Sequence, residues 1–343
     1  MDPISQGIVG TTAAQQFPKL AQNKRQLIAL SLLGFLSGMA PDIDVVIRSS
    51  EDPMLFLEYH RQFTHSFLFI PFGGLLCALL GQWLLGKRAG LSFKATYIAC
   101  TVGYATHGLL DACTSYGTLL LWPFSDMRIA WHNLPIVDPL LTFPLITFCV
   151  ARIKTGKTVW SRIALIWLLA FPAIGIMQRS HATAVATELA GQRGHVIERL
   201  EVRPGFGNLF VWKSIYQTTV NGESTYFVDA IHVSTKEKVY QGTSIPVLNL
   251  QRDFPWLDQR SQQAKDVERF RWFSDNYLSV DPANPNRIVD KRYSMMPHEI
   301  KPFWGVELSP SRSADGYIDY TVTREVEEGA FGVLWKMIRG MGL

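Results

Sequence analysis

The sequence predicts an α-helical membrane domain of about five transmembrane helices, followed by a soluble α+β domain. Hydrophobic residues make up 48% of the 343 residues and charged residues only 18%, below the roughly 25% typical of soluble domains. From position 59 to position 187 the chain contains no glutamate, although that stretch is long enough to form a domain. A soluble domain of that length would need more charge on its surface. The first half of the chain is therefore predicted to lie in a bilayer.

Five apolar stretches approach the roughly 20 residues that cross a bilayer. In chain order they cover 27–47, 66–85, 95–113, 134–150 and 160–177. The second and fifth are almost free of polar groups, whereas the other three carry polar residues near one end. From about Gln178 the glycine and charge content rises. These changes predict a transmembrane domain over 1–178 and a soluble domain over 179–343.

The C-terminal region shows the patterns of mixed secondary structure. Alternating apolar and polar residues, with an Asn221-Gly222 turn signal, predict strands at 196–202, 209–219, 224–233, 238–243 and 316–325. Helices are predicted over 181–192 and 259–277. A soluble α+β domain follows from this mixture.

Lysine and arginine in the short loops predict the orientation of the chain, because they favour the cytoplasmic side. Basic residues precede the first apolar stretch and follow the second and the fourth. We therefore expect a multi-pass protein of the bacterial inner membrane with a cytoplasmic N-terminus and a periplasmic C-terminal domain. The net charge is only +4 and there is no basic run, so no nucleic-acid partner is expected. Protein partners are not predicted.

Six histidines and aspartates form three pairs at the outer ends of the predicted helices. The pairs are Asp42 with Asp44, His60 with His65, and His107 with Asp111. A charge near the bilayer core costs roughly 2.5–3.5 kcal/mol and usually faces a cavity, a partner or an ion. Imidazole with carboxylate suits Zn, Mn or Fe better than Ca or Mg. The six residues are therefore predicted to bind a divalent metal, with Zn preferred and Mn or Fe as alternatives.

The spacing within each pair limits how its members can meet. His107 and Asp111 are four residues apart and project from one face of a helix. Asp42 and Asp44 point the same way if the chain between them is extended. His60 and His65 converge only if the chain bends, and Thr64 as a helix cap would create that bend.

Three further residues are candidates for catalytic roles. Arg61 would stabilise developing negative charge, or would instead anchor the chain among lipid headgroups. Asp126 and His132 are candidate general acid and base groups. Their other readings are a loop or cap residue for Asp126 and an interfacial anchor for His132.

The pairs stand in a recognisable order of motifs. Pro41-Asp42-Ile43-Asp44, the string His60-Arg61-Gln62-Phe63-Thr64-His65-Ser66, and His107-Gly108-Leu109-Leu110-Asp111 follow an N-terminal Met1-Asp2-Pro3-Ile4-Ser5-Gln6-Gly7. Over roughly residues 1–180 the chain resembles the YdjM family, bacterial inner-membrane proteins described as predicted membrane-bound metal-dependent hydrolases. Many members have a histidine where this chain has Gln6. A glutamine would ligate only weakly through its carbonyl oxygen, so the site is expected to hold one metal fewer.

The resemblance and the location together imply a metal-dependent hydrolase at the outer face of the inner membrane. Its substrate would be a phosphoester or a lipid-linked ester, with membrane lipids as partners. Asp44 or Asp111 would bridge a second ion if two were bound. Two other readings stay open. The metal could be structural while the C-terminal domain binds an envelope partner, or the site could serve metal transport or sensing.

Overall fold

The computed structural model describes residues 1–234, 236–323 and 326–342. The chain forms two compact units. The membrane unit joins Met1–Val46 to Tyr59–Met177, and the C-terminal unit joins Ile47–Glu58 to Gln178–Leu343. The short segment 47–58 therefore belongs to the C-terminal unit, although the chain on either side of it belongs to the membrane unit.

The described part of the chain forms helices of very different lengths. In chain order they are α1 (Pro3–Ala14), α2 (Lys24–Met39), α3 (Leu55–Tyr59), α4 (Ile70–Gly81), α5 (Lys87–Ala89), α6 (Phe93–Cys113), α7 (Pro139–Thr155), α8 (Val159–Gln192), α9 (Leu250–Asp253), α10 (Gln262–Phe273) and α11 (Ala330–Ile338). Tighter 3₁₀ segments cover Ala40–Val46, Phe63–His65 and Phe67–Phe69, and a π turn over Gln82–Gly86 joins α4 to α5.

Several helices begin where the sequence supplies a cap. Asp2, Asn23, Ser92 and Asp138 each accept a hydrogen bond from a backbone N–H in the first turn of α1, α2, α6 and α7. Such caps satisfy N–H groups that have no partner inside the helix. The caps of α1 and α7 precede a proline, which favours the first helical position.

Three helical stretches are long and apolar enough to cross a membrane: Lys24–Val46, Phe67–Ala89 and Val159–Gln192. They correspond to the first, second and fifth predicted stretches. The prediction of about five transmembrane helices is not supported. The fourth stretch becomes α7, which starts only at Pro139 and has 17 residues, fewer than the roughly 20 that a span needs.

The third stretch becomes α6, whose composition reflects its position inside the bundle. α6 packs against α1, α2 and α4, and 12 of its 21 residues are buried. A helix surrounded by other helices needs little lipid-like surface, so it can carry polar groups such as Thr96, His107 and Asp111 on its buried faces.

Helix α1 was not predicted from the sequence, and its contact with α2 depends on glycines. A Cβ added at Gly34 would lie 2.6 Å from the carbonyl oxygen of Gly10, and one added at Gly38 would lie 2.7 Å from that of Gln6. Both distances are shorter than any tolerated contact. Small residues four apart allow two helix backbones to approach closely, as is common between membrane helices.

The C-terminal unit contains two antiparallel four-stranded sheets. The first, in the order β1-β2-β3-β4, comprises Arg199–Pro204, Val211–Val220, Glu223–His232 and Lys238–Pro246. The second, in the order β5-β6-β7-β8, comprises Leu278–Asp281, Asn284–Asp290, Trp304–Glu307 and Asp319–Val322. Helix α11 packs on the first sheet, where Val211, Ala230 and Tyr240 meet Leu334 and Met337.

The predicted strands of the first sheet correspond to β1–β4, with boundaries displaced by up to a few residues. β5, β6 and β7 were missed, because two of them have four residues and β6 begins Asn284-Pro285-Asn286, which reads as a turn. The strand predicted over 316–325 is shorter, Asp319–Val322, and its positions 324 and 325 lie outside the described residues. The helix predicted over 181–192 is the end of the continuous α8.

Candidate metal centre

Four side chains from three parts of the membrane unit meet at one point. Asp42 comes from the 3₁₀ segment after α2, His65 from the 3₁₀ segment before α4, and His107 and Asp111 from the last two turns of α6. One potential ligand atom from each lies within 4.8 Å of all the others. The i, i+4 spacing on α6 brings His107 and Asp111 to the same face, as their separation predicts.

The distances between these atoms fit a small tetrahedral ion. His65 Nε2 lies 3.0 Å from His107 Nε2, 3.4 Å from Asp42 Oδ1 and 3.3 Å from Asp111 Oδ2. His107 Nε2 lies 3.3 Å from Asp42 Oδ1 and 3.6 Å from Asp111 Oδ2. Ligands about 2.0–2.1 Å from a tetrahedral ion are roughly 3.3–3.4 Å apart. The buried His/Asp cluster could therefore hold a metal ion with little rearrangement.

Two buried carboxylate oxygens of this cluster form no well-aligned hydrogen bond, although Arg61 Nε lies 3.1 Å from one of them, Asp111 Oδ2. They are Asp42 Oδ1 and Asp111 Oδ2, the same two atoms that point at the imidazoles. A buried polar atom without a well-aligned hydrogen bond costs roughly 1–3 kcal/mol, and more when it is charged. A cation among the four atoms would remove that cost.

The histidines are held so that their Nε2 atoms face the centre. His107 Nδ1 lies 2.6 Å from the carbonyl oxygen of Gly38, and His65 Nδ1 lies 2.9 Å from Thr64 Oγ1. In this arrangement each Nδ1 carries the proton and each Nε2 keeps a lone pair for a ligand. Thr64 in turn donates to Asp44 Oδ2 at 2.7 Å.

Asp44 supports the cluster from behind. Its carboxylate lies 2.8 Å from His60 Nδ1 and accepts hydrogen bonds from the Arg61 backbone N–H at 3.0 Å and from Thr64. Asp42, Asp44 and His60 form a second, less buried group that could hold an ion. Because both Asp44 oxygens already accept from the protein, the first group is the better site.

The extended chain that would let Asp42 and Asp44 point the same way is not present, although one ligand oxygen of each still lies within 4.8 Å of the other. They lie in a 3₁₀ segment, where residues two apart differ by about 240° around the axis. Asp42 therefore faces the Nε2 atoms of His65 and His107, whereas Asp44 faces His60, Thr64 and the Nδ1 side of His65.

Arg61 lies beside Asp111. Its Nε is 3.1 Å from Asp111 Oδ2, its Cζ is 4.8 Å from the centre of the Tyr116 ring, and the residue is only 6% exposed. Its backbone has a φ of +65°, a conformation that non-glycine residues adopt rarely and mostly at constrained sites. The buried ion pair favours a role at the cluster over that of a headgroup anchor.

Gln6 on α1 and Met1, which precedes that helix, contribute two groups that the ligand prediction did not include. Gln6 Nε2 donates to Asp111 Oδ1 at 2.8 Å, and the Met1 amino group pairs with the same oxygen. Gln6 therefore orients the carboxylate of Asp111 through its amide nitrogen. The signal for α1 was present in Asp2-Pro3, a cap followed by a proline.

Asp126 and His132 are not in either group of potential ligands among the described residues. Asp126 is exposed. His132 is half-buried with a φ of +52°. The acid and base roles of these two residues stay predictions.

The two histidines before α4 differ in proton affinity. Burial alone would lower the pKa of His65, but its contacts with Asp111, Asp42 and Asp44 raise it to about 10. Burial lowers the pKa of His60 despite its contact with Asp44. In the absence of a metal, a proton on His65 would supply the positive charge that the surrounding carboxylates favour.

Known proteins resemble this chain mainly over its N-terminal half, which contains the cluster. Inner membrane protein YbcI of Escherichia coli (strain K12) is 29% identical over 154 residues, which cover 43% of this chain and 82% of that protein. No solved structure matches the chain. The family described as YdjM inner membrane protein matches residues 1–182, which include the whole His/Asp cluster. The chain therefore belongs to the YdjM family of inner membrane proteins.

Proposed function

We propose that the protein is a membrane-bound metal-dependent hydrolase that acts on a phosphoester or lipid-linked ester at the outer face of the inner membrane. The observation that carries this proposal is the four-atom cluster, in which two buried carboxylate oxygens face two imidazoles and form no well-aligned hydrogen bond. Two imidazoles and two carboxylates at tetrahedral separations suit Zn, with Mn or Fe as alternatives. The outer-face location is supported by the lysines and arginines of the loops.

The four residues differ in exposure, and this difference suggests which of them bind the ion and which acts on water. His65, His107 and Asp111 are buried, whereas the Asp42 side chain is 26% exposed. We assign the ion to the three buried residues. Asp42 would face incoming water and take its proton as a general base. A bound ion would supply the acidity of that water and polarise the scissile bond.

Arg61 lies where it would assist the same reaction. Its guanidinium pairs with Asp111 at the edge of the cluster. A fixed cation there would stabilise negative charge that develops on a phosphoryl or acyl oxygen. Its rare backbone conformation is retained through hydrogen bonds at both ends of the residue, from its N–H to Asp44 and from the Leu119 N–H to its carbonyl oxygen.

A structural metal site is the second candidate, because four protein ligands fill a tetrahedral shell whereas catalytic sites keep one position open. Asp42 distinguishes the two. If Asp42 is a general base, Asp42→Asn retains the metal and loses hydrolysis. If Asp42 is the fourth ligand of a closed site, the same variant loses metal and stability. Transport is less favoured, since positions 27–41 and 67–86 of two membrane helices contain no Asp, Glu, Lys, Arg or His.

The first test is the metal content of the detergent-purified protein, measured by elemental mass spectrometry. We expect about one transition-metal ion per chain and its loss in the folded double variant His107→Ala, Asp111→Ala. His181→Ala, which removes a histidine of the C-terminal unit, is the matched control and should retain the ion. Hydrolysis of phosphodiester and lipid ester substrates is then compared with and without Zn or Mn. A wild-type protein that stays metal-free after loading would overturn the proposal.

A further inference from the structure

Arg269 on α10 gathers three carboxylates from two distant parts of the sequence. Its guanidinium forms two hydrogen bonds to Asp52, at 2.8 and 2.9 Å, and its Nε lies 2.5 Å from Glu58. The third carboxylate, Asp266, is fully buried on α10 and lies 2.9 Å from Nη1. Forked pairing of arginine with a carboxylate is the strong and geometrically specific kind of ion pair. Arg269 thus fastens segment 47–58 to α10.

Segment 47–58 is built to stay in place within the C-terminal unit. Met54 is 1% exposed and Leu57 is 3% exposed, so the segment buries apolar side chains as well as forming ion pairs. Ser49 Oγ accepts from the N–H groups of Glu51 and Asp52, which holds the turn that presents Asp52 to Arg269. Ion pairs in a bidentate, several-charge network are the ones expected to contribute to stability.

Segment 47–58 lies between Asp44 and His60, two residues beside the metal centre. Asp44 lies three residues before it and His60 two residues after it, and these two side chains are 2.8 Å apart. The segment is therefore a loop closed at its base by Asp44 and His60. Asp44 also accepts a hydrogen bond from the Thr64 hydroxyl and lies 3.3 Å from His65 Nδ1. Asp44 therefore connects the base of the loop to His65, a proposed ligand.

We infer that the C-terminal unit regulates the metal centre through segment 47–58, with Arg269 as the positioning residue. This inference rests on the proposed function, because it concerns the same ion. Without Arg269, three carboxylates would face one another with no arginine between them. Asp266 is held by Gln262 and by the Ile318 N–H, so Asp52 and Glu58 would move away. Their departure frees the base of the loop and loosens Asp44 behind His65.

The test uses the full chain in lipid nanodiscs loaded with Zn. Zinc affinity is measured by competition with a chromophoric chelator, and loop mobility by hydrogen exchange over 45–66. Losing support behind a ligand typically weakens metal affinity by about 10- to 100-fold, so we expect Arg269→Ala to weaken it at least about tenfold and to raise exchange in the loop. Arg271→Ala is the matched control on the same helix, since Arg271 pairs with Glu268 instead. It should stay near the wild-type affinity.

Exchanging the charges of Arg269 and Asp52 distinguishes loss of this ion pair from a general loss of folding. The double variant Arg269→Asp, Asp52→Arg keeps one arginine among three carboxylates and should recover most of the affinity. Raised loop exchange with an unchanged zinc affinity in Arg269→Ala would overturn the inference and leave the proposed function intact. Failure of the exchanged pair to recover affinity, with β2 still protected from exchange, would also overturn it. A wild-type protein that binds no zinc would overturn both.

Discussion

Buried carboxylates are neutralised differently in the two units. In the C-terminal unit three of them each have an arginine of their own: Asp229 pairs with Arg193, Asp290 with Arg292, and Asp281 with Arg287. Asp266 instead shares Arg269 with Asp52 and Glu58. In the membrane unit Asp42, Asp44 and Asp111 share Arg61, the Met1 amino group and three imidazoles. The first arrangement is complete in itself. The second becomes complete only when an imidazole takes a proton or an ion binds, which is why we place the chemistry there.

The largest effect is expected from the loss of His65, a member of the four-atom cluster, and a smaller one from the loss of His60, which contacts Asp44. His65→Ala removes an atom from the four-atom cluster, and we expect the purified variant to contain no bound ion. His60→Ala removes no atom of the four-atom cluster but takes away a contact of Asp44, and affinity should fall by about 10- to 100-fold, as for other supporting residues. Chelator competition with both variants measures the difference. Equal losses would mean that His60 is itself a ligand and that the second group of potential ligands is the occupied one.

The C-terminal unit should respond to loss of a cation by unfolding rather than by losing metal. Arg193→Ala leaves the Asp229 carboxylate, which is 1% exposed, without its partner. Breaking a buried pair in this way costs about 3–5 kcal/mol. Removing both charges with Arg193→Met and Asp229→Asn should cost less than the single change. Urea unfolding and metal content are measured on the same samples. Release of the ion by Arg193→Ala while the C-terminal unit stays folded would contradict the expected difference between the two units.

Packing in the membrane unit should be more sensitive to a methyl group than packing on α11. A Cβ at Gly34 meets the Gly10 carbonyl oxygen at 2.6 Å, whereas one at Gly332 meets nothing within 4 Å. Gly34→Ala should therefore lower stability in detergent by about 1–3 kcal/mol. Gly332→Ala lies in a helix and should be neutral or stabilising by up to about 1 kcal/mol. Thermal unfolding of both variants measures this, and an unaffected Gly34→Ala would show that α1 does not pack as described.

The smallest effect is a dependence of stability on pH in the C-terminal unit. Burial, with Lys291 and Arg203 nearby, lowers the pKa of Lys213 from its ordinary value of 10.5 to about 7. Between these values the unfolded chain binds a proton that the folded chain has released, so stability should rise with pH. From pH 7 to pH 9 we expect a gain of roughly 1–2 kcal/mol, reduced in Lys213→Met. Hydrogen exchange of β2, corrected for its intrinsic pH dependence, would refute this if stability fell over that range.

The residues of the metal centre were more predictable than the fold around them. Loop charges predicted one depth for three polar pairs, four of whose members meet in the cluster. The i, i+4 spacing of His107 and Asp111 required only that α6 be a helix. The division of labour between Asp42 and Asp44 was not predictable. It depends on a 3₁₀ rather than an extended backbone over Ala40–Val46, and neither conformation has a strong sequence signal there.

Other differences arise from tertiary contacts that a single sequence does not show. Thr64 was expected to cap a helix, but its hydroxyl donates to Asp44, twenty residues away in the chain. Helix α6 looked like a membrane span by its length, whereas its polar composition follows from packing among α1, α2 and α4. Segment 47–58 follows directly on the first apolar stretch in the sequence, and its contact with the distant Arg269 shows that it belongs to the C-terminal unit.

Gly38 performs two tasks with one peptide unit. Its missing side chain allows α1 to approach, since a Cβ there would lie 2.7 Å from the Gln6 carbonyl oxygen. Its own carbonyl oxygen lies 2.6 Å from His107 Nδ1 and so selects the tautomer of that imidazole. A displacement of α2 by a few tenths of an ångström therefore alters ring orientation at the centre. In a genetic screen for loss of the metal, glycines that touch no ion should be recovered alongside the histidines and aspartates.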